Sequence, residues 1–89
     1  MKLVFFVKEN CDACKNAKEK VSFFLDKWGA ADSVATEAVN LDSEDGLVEA
    51  AMRGVADVPT IILESDGSEV ARWGRKAPAS DELKVKLGL

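Results

Sequence analysis

LVFFVKENCDACK, residues 3–15, is the stretch that decides the fold of this 89-residue chain. Cys11 and Cys14 are the only cysteines, and they directly follow an apolar run of strand length. A Cys-x-x-Cys pair that leaves a strand and opens an amphipathic helix is typical of a dithiol/disulfide couple. We expect both side chains on the first helical turn, where their sulfurs can bond with little backbone movement. A helix start also presents unpaired N–H groups that favour a thiolate, so the stretch predicts exchange chemistry.

The composition is that of a soluble globular protein. Hydrophobic residues make up 47% of the chain and charged residues 31%, which is ordinary for a soluble domain. We expect one domain over residues 1–89, because this length suffices for one small core. The net charge of −4 argues against nucleic acid or an anionic membrane surface as the partner. No window approaches the roughly 20 apolar residues of a membrane span.

The apolar run near the N-terminus is too short for a secretion signal. Such a signal has about 7–15 apolar residues and a cleavage site with small residues, whereas this run ends at Lys8-Glu9. We therefore expect the mature chain to begin at Met1 and to stay in the cytoplasm as a monomer. In a reducing compartment, a lone cysteine pair is more often catalytic or metal-binding than a permanent cross-link.

A metal site is the weaker interpretation of the two cysteines. Tetrahedral zinc takes four ligands, and the chain has two cysteines and no histidine. A metal-carrying dimer that shares an ion through Cys11 and Cys14 remains as an alternative. A structural disulfide is also disfavoured, because closing so short a loop contributes little stability.

The first half of the sequence predicts two strand–helix units. The continuous apolar run over Lys2 to Val7 is typical of a central strand that is covered on both faces. A second strand lies within Ser33 to Leu41, and Asp42 or Ser43 caps a helix that ends at Gly54. The first helix stops at Gly29 and carries apolar residues at steps of three and four: Cys14, Ala17, Val21, Phe24, Leu25 and Trp28.

The second half predicts a hairpin and a short helix. A strand rich in β-branched residues, Thr60 to Leu63, follows Pro59 directly. Asp66-Gly67 is a strong hairpin signal before a strand over Glu69 to Trp73. Ser80 is the expected cap of the last helix, whose leucines face inward.

The order of elements is therefore β-α-β-α-β-β-α. We expect the first three strands to run parallel through right-handed crossovers, and the last hairpin to add an antiparallel edge strand. The predicted fold is an α/β/α sandwich around a four-stranded mixed sheet.

The chain resembles the thioredoxin superfamily over essentially its whole length. One motif is Cys11-x-x-Cys14 between a strand and a helix. Another is Val58-Pro59-Thr60, which stands before a strand some forty-five residues later. The Asp66-Gly67 turn and the Trp73-Gly74 pair follow in similar order and spacing. The chain lacks the extra N-terminal strand and helix of full thioredoxins, so its size is closer to that of glutaredoxins.

The resemblance implies a thiol–disulfide oxidoreductase without a cofactor, acting as an electron donor to proteins that contain disulfides. Its own donor would be a flavoprotein of the thioredoxin-reductase type or another dithiol. The Val58–Pro59 peptide bond would be cis beside the cysteines, and Val58 would offer backbone groups to an extended substrate. Trp73 and Gly74 would lie near the substrate groove, although a packing role for Trp73 is favoured.

Three departures from the family pattern bear on the chemistry. Asn10 replaces the aromatic residue before the first cysteine, and Asp12-Ala13 replaces the usual pair between the cysteines. Phe5 stands where thioredoxins carry a buried acid, so the second thiol must exchange its proton through water or through Glu9, Asp12 or Asp57. Glutaredoxins usually have Thr at the position of Asp57, and Gly74-Arg75 only partly suggests their glutathione-binding stretch. Glutathione is therefore disfavoured as the reductant.

Charges beside the first cysteine set the predicted direction of electron transfer. Asp12 and Asp57 would raise the pKa of the Cys11 thiol, and Lys15, with Lys8 and Lys18, would partly offset them. A less stabilised thiolate favours the disulfide, so the pair is expected to act as a reductant. An alternative role for Asp12 is equally compatible with the sequence: its negative charge stabilises the N-terminus of the helix while the side chain points into water.

The predicted roles differ for the two sulfurs. Cys11, the more exposed, attacks a substrate disulfide, and Cys14, held deeper, resolves the mixed disulfide. The alternative function is a binding module of the same fold, in which the pair serves as a redox sensor without turnover.

Overall fold

The computed structural model describes all residues from Met1 to Leu89. Four strands and three helices follow one another in the predicted order. They are β1 (Lys2–Val7), α1 (Asp12–Lys27), β2 (Ala35–Asn40), α2 (Glu44–Met52), β3 (Thr60–Ser65), β4 (Ser68–Gly74) and α3 (Ser80–Leu87). None of the helices has the length and apolar character needed to cross a membrane.

The four strands form one mixed sheet between two helical layers, as predicted. The strand order is β2-β1-β3-β4. Leu3 and Phe5 of β1 pack in a core with α1 and α3, whereas Val4 and Phe6 pack in a second core with α2. Alternate residues of a strand face opposite sides of a sheet, so the continuous apolar run of β1 fills both cores. The prediction of a central strand covered on both faces is confirmed.

The predicted direction of β3 is wrong. β2 runs parallel to β1, but β3 is antiparallel to β1, with Phe6 opposite Thr60. The cause lies in the connection. α2 leaves the end of the sheet where β2 stops, and Arg53 just beyond α2 makes an ion pair with Glu64 near the far end of β3. The segment 54–59 then returns the chain, so β3 begins at the end where β1 finishes.

The hydrophobic face of α1 follows the predicted stripe. Cys14, Ala17, Val21 and Leu25 are buried, and Gly29 follows the helix with a φ of +66°. Phe24 and Trp28 are half-buried and stack at 5.5 Å between ring centroids. Phe23 lies outside this stripe and is 62% exposed, because a step of one residue rotates a side chain by about 100° around the helix.

The ends of the other elements show one further difference from the sequence prediction. Ser43 is the N-cap of α2 and accepts a hydrogen bond from the Gly46 N–H at 3.0 Å. Asp66 and Gly67 both have positive φ, as a tight hairpin turn requires. Ser80, however, is the first residue of α3 rather than its cap. Ala79 occupies the cap position without a side-chain hydrogen bond, and Asp81 Oδ1 accepts from the Glu82 N–H instead.

Gly46 allows α2 to approach the end of β2, and replacing it with alanine should destabilise the protein. A Cβ at this position would lie 1.8 Å from the backbone carbonyl oxygen of Asn40. Helix propensity alone predicts the opposite sign, a gain of about 1 kcal/mol. We expect Gly46→Ala to lose about 2 kcal/mol in the free energy of unfolding, because backbone must move. Urea denaturation measures this, and stabilisation would contradict the prediction. Ala51→Gly, at an exposed position of α2, calibrates the propensity term.

Candidate active site

Cys11 and Cys14 are joined as a disulfide at the start of α1. Their Cα atoms lie 5.2 Å apart. Cys14 lies in the first turn of α1, whereas Cys11 lies one step earlier than predicted, as the N-cap with extended backbone angles. The Cys14 N–H donates to Cys11 Sγ at 3.1 Å. A cysteine therefore takes the position at which Ser, Thr, Asp or Asn usually accepts a hydrogen bond from the first turn.

The two sulfurs differ in access to solvent. Cys11 is partly exposed, whereas Cys14 is only 2% exposed. An incoming group can therefore reach the first cysteine more readily than the second. A backbone N–H donor and a helix N-terminus both stabilise negative charge on sulfur, and both act on Cys11. The geometry suits Cys11 as an attacking thiolate and Cys14 as the internal partner.

Pro59 lies at the same end of the sheet, before the neighbouring strand. The Val58–Pro59 peptide bond is cis, as the resemblance implied. Thr60 pairs with Phe6 near the end of β1, which places the proline at the edge from which the cysteine loop departs. Arg75 donates its N–H to the Pro59 carbonyl at 2.6 Å. Val58 is half-buried, and its own N–H and C=O make no hydrogen bond within the chain.

Asp57 is paired with a cation that the sequence interpretation did not consider. The Arg75 guanidinium contacts Asp57 Oδ2 at 3.4 Å, and both side chains are exposed. The Asp57 backbone carbonyl accepts from Thr60 Oγ1 at 2.6 Å. Because Arg75 offsets the charge of Asp57, this carboxylate acts more weakly on Cys11 than an isolated one would.

An open cleft of about 460 Å³ has the disulfide in its wall. Asp12 and Lys15, both predicted to tune Cys11, line this cleft. Of the three carboxylates considered for proton transfer, Asp12 alone lines it together with Cys14. The other polar residues that line the cleft are Lys8, Asn10, Lys18 and Glu19.

Trp73 and Gly74 are separated from this cleft. They border a different depression, between β4 and α3. The Trp73 ring is half-buried against the core formed with α1 and α3, and its Nε1–H donates to Glu82 Oε1 at 2.6 Å. The packing role that we favoured for Trp73 accounts for these contacts. Gly74 is exposed and pairs opposite Thr60.

Solved structures with a similar arrangement of strands and helices include several thioredoxins. Thioredoxin 1 of Thermosipho africanus superposes with a TM-score of 0.75 at 19% identity, over 99% of this chain and 91% of its own. Thioredoxin-2 of the malaria parasite gives a TM-score of 0.76 at 23% identity, over 98% of this chain and 80% of its own. For the thioredoxin of Fasciola hepatica the TM-score is 0.70 at 25% identity, over 98% and 77%. The chain has the thioredoxin fold.

The likeness lies in structure rather than in sequence. No protein-family model matches the chain, and no curated protein matches it at a significant level. What the chain shares with these structures is the fold, and its cysteine pair lies at the start of α1.

Phe5 leaves the inner side of this thioredoxin fold without a carboxylate near the pair. Its ring is 4% exposed and belongs to the core with Ala17 and Val21. Thr60 is the only buried residue with a polar or charged side chain. The acidic groups available to the thiols are therefore at the surface.

Asp42, which the sequence predicted only as a possible helix cap, connects the loop before Cys11 to the start of α2. Asp42 Oδ2 accepts from the Glu9 N–H at 2.7 Å. The Leu41 N–H donates to the Val7 carbonyl at 2.8 Å and extends the parallel pairing. Asn10 completes the loop with a φ of +55°, a conformation that Asn tolerates better than most residues. These contacts fix the path of the chain into Cys11.

Arg72 of β4 holds the beginning of the segment that leads to Pro59. Its guanidinium donates to the carbonyl of Arg53 at 2.7 Å and to that of Gly54 at 3.3 Å. It also donates to both carboxylate oxygens of Glu69, at 3.1 and 2.8 Å. The hydrogen bonds from Arg72 and its positive charge lower the pKa of Glu69. The hydrogen bonds to Glu69 and the negative charge of that carboxylate raise the pKa of Arg72.

The lowered pKa of Glu69 predicts a small loss of stability in acid. A carboxyl whose pKa is lower when folded contributes stability above its unfolded pKa, and this is lost as the pH falls through the folded pKa. We expect Glu69→Gln to reduce the acid dependence of the unfolding free energy at pH values below about 4.3. Urea titrations at several pH values measure this. Glu19→Gln, which alters an exposed carboxylate without an ion pair, should leave the dependence unchanged. Equal behaviour of the two variants would contradict the prediction.

Proposed function

We propose that the chain is a thiol–disulfide oxidoreductase that reduces protein disulfides through Cys11 and Cys14. The observation that carries the proposal is the unequal exposure of two bonded sulfurs at a helix N-terminus in a thioredoxin fold. The thioredoxin-fold neighbours and the cysteine pair support thiol redox chemistry in general. Reduction of protein disulfides is the specific form that we propose.

The first step uses the exposed sulfur. In the reduced protein, the Cys11 thiolate attacks one sulfur of a substrate disulfide. An S–S bond forms to Cys11 while the substrate S–S bond breaks, and the departing substrate thiolate takes a proton from water. The Cys14 N–H and the N-terminus of α1 stabilise the attacking thiolate.

The second step uses the buried sulfur. Cys14 loses its proton and attacks Cys11 Sγ, which breaks the mixed disulfide and releases the second substrate thiolate. The substrate gains two electrons, and the protein ends with the Cys11–Cys14 bond. A reductase of the flavoprotein type, or another dithiol, then returns two electrons to the pair.

Val58 supports the placement of an extended substrate beside Cys11. Its N–H and C=O have no partner within the chain and lie at the sheet end where the disulfide lies. Unpaired backbone groups of this kind can bond to an extended peptide. In the proposal, one flank of the substrate pairs here while its sulfur meets Cys11.

Replacing the resolving cysteine should trap the intermediate. We expect Cys14→Ser to accumulate a disulfide between Cys11 and a cystine-containing peptide, because the second step has no thiol. Cys11→Ser is the matched control and should form no such adduct. Mass spectrometry under non-reducing conditions measures both. Turnover by Cys14→Ser equal to that of the parent would contradict the assigned roles. Adduct formation without turnover by the parent would indicate the redox-sensing module.

The pair should act as a reductant. Asp12 lines the cleft with Cys11, and its negative charge disfavours the thiolate and so stabilises the disulfide relative to the dithiol. The lysines of the same cleft offset this charge in part. Equilibration with thiol–disulfide buffers, followed by alkylation and mass spectrometry, measures the reduction potential. We expect a value well below the roughly −120 mV of a strong dithiol oxidant. A value near that oxidant would reverse the proposed direction.

A further inference from the structure

Three lysines stand on one side of the disulfide, in the cleft that contains both cysteines. Lys8 comes from the loop after β1, and Lys15 and Lys18 come from the first two turns of α1. We call this depression of about 460 Å³ the lysine cleft. Two different segments of the chain supply its cations, so the cluster exists only in the folded protein.

The lysine cleft departs from the charge of the rest of the molecule. The lining contains three lysines and two acidic residues, Asp12 and Glu19. The whole chain, in contrast, has a net charge of −4. None of the three lysines makes a salt bridge, while all three arginines of the chain are paired with carboxylates. The lysine ammonium groups are therefore free to meet an external anion.

The lysine cleft and Val58 lie on opposite sides of β1. Lys18 also borders a depression formed with Thr36 and Ala38 of β2, so the cleft opens toward the β2 edge. Val58 precedes β3, which pairs with the other edge of β1. A polypeptide that crosses Cys11 with one flank at Val58 therefore places its other flank toward the lysines.

We propose that the lysine cleft binds acidic side chains that flank the cystine of a polypeptide substrate. This inference rests on the proposed function and names the class of substrate. A polypeptide fits better than a small anion, because only an extended chain reaches both the backbone groups of Val58 and the lysines. Lys15 and Lys18 stand about one helical turn apart, which suits carboxylates spaced along an extended segment.

Exposed cations of this kind act chiefly on the rate of association. Charges at the rim of a contact change the association rate and its salt dependence more than the final packing. Each exposed pair contributes modestly, so the effect of two or three lysines is measurable but not absolute. Salt weakens it, because the screening length is about 10 Å at 0.1 M ionic strength.

The test uses three synthetic peptides of equal length with one disulfide each, flanked by Glu, Gln or Lys. Fully reduced protein is mixed with each peptide, and the second-order rate constant of protein oxidation is followed by acid quench and mass spectrometry. We expect the Glu peptide to react about three- to tenfold faster than the Gln peptide at low salt. The Lys peptide should react more slowly than both, and added salt should bring the three rates together.

Two double variants separate the cleft from overall charge. In Lys15→Gln/Lys18→Gln the ratio of Glu-peptide to Gln-peptide rates should fall toward one. Lys27→Gln/Lys86→Gln removes the same charge at exposed positions outside the cleft and should keep the ratio. A change in the reactivity of Cys11 itself alters the rates of both peptides equally, so the ratio isolates the binding effect.

The outcomes distinguish this inference from the proposed function. An unchanged ratio in Lys15→Gln/Lys18→Gln, or equal loss in both double variants, would overturn the lysine cleft as the acidic-segment site. Glutathione disulfide serves as a small anionic comparator. If it alone depends on the two lysines, the polypeptide assignment is wrong. Failure of every peptide to oxidise the parent would refute the proposed function itself, whereas equal rates for all three would refute only the charge preference.

Discussion

The burial of β1 on both faces is the constraint on which the rest of the structure depends. Leu3 and Phe5 meet one helical layer while Val4 and Phe6 meet the other. A shift of one residue would exchange these two sets, so the register is fixed by packing on both sides at once. The loop that carries Cys11 therefore leaves the sheet at a defined point. Both neighbours of β1 pair along its length, and they bring Asp42 and Pro59 to that same end.

The start of α1 combines a structural and a chemical role in one atom. An N-cap normally uses oxygen to accept a hydrogen bond from the first turn, and here Cys11 Sγ accepts from the Cys14 N–H. The donors of this turn thus lie beside a sulfur atom rather than an oxygen. The polar group that completes the helix is also the group that is placed to react, and the buried position of Cys14 follows from the apolar stripe that it begins.

The sequence predicted local structure well and long-range contacts poorly. The strand at residues 2–7, the stripe on α1 and the Asp66-Gly67 turn depend on neighbouring residues, whose patterns have a direct physical meaning. The direction of β3 depends on how far the chain travels after α2, which no local pattern states. Even so, the expected position of Pro59 beside the cysteines already required β3 to begin where β1 ends, which makes the two strands antiparallel. The Asp42–Glu9 and Arg75–Asp57 contacts join residues that are 33 and 18 positions apart in the sequence. No local sequence motif predicts contacts of this kind.

The replacement of a buried acid by Phe5 changes how the second thiol must exchange its proton. On the inner side, Phe5 is part of a close-packed apolar core, which offers neither an acceptor nor room for water. Of the surface carboxylates, Asp57 faces Arg75, and the Glu9 side chain does not line the cleft that includes Cys14. That cleft contains Asp12 and is open to water. The proton of Cys14 therefore leaves into the open cleft, on the side where Asp12 lies.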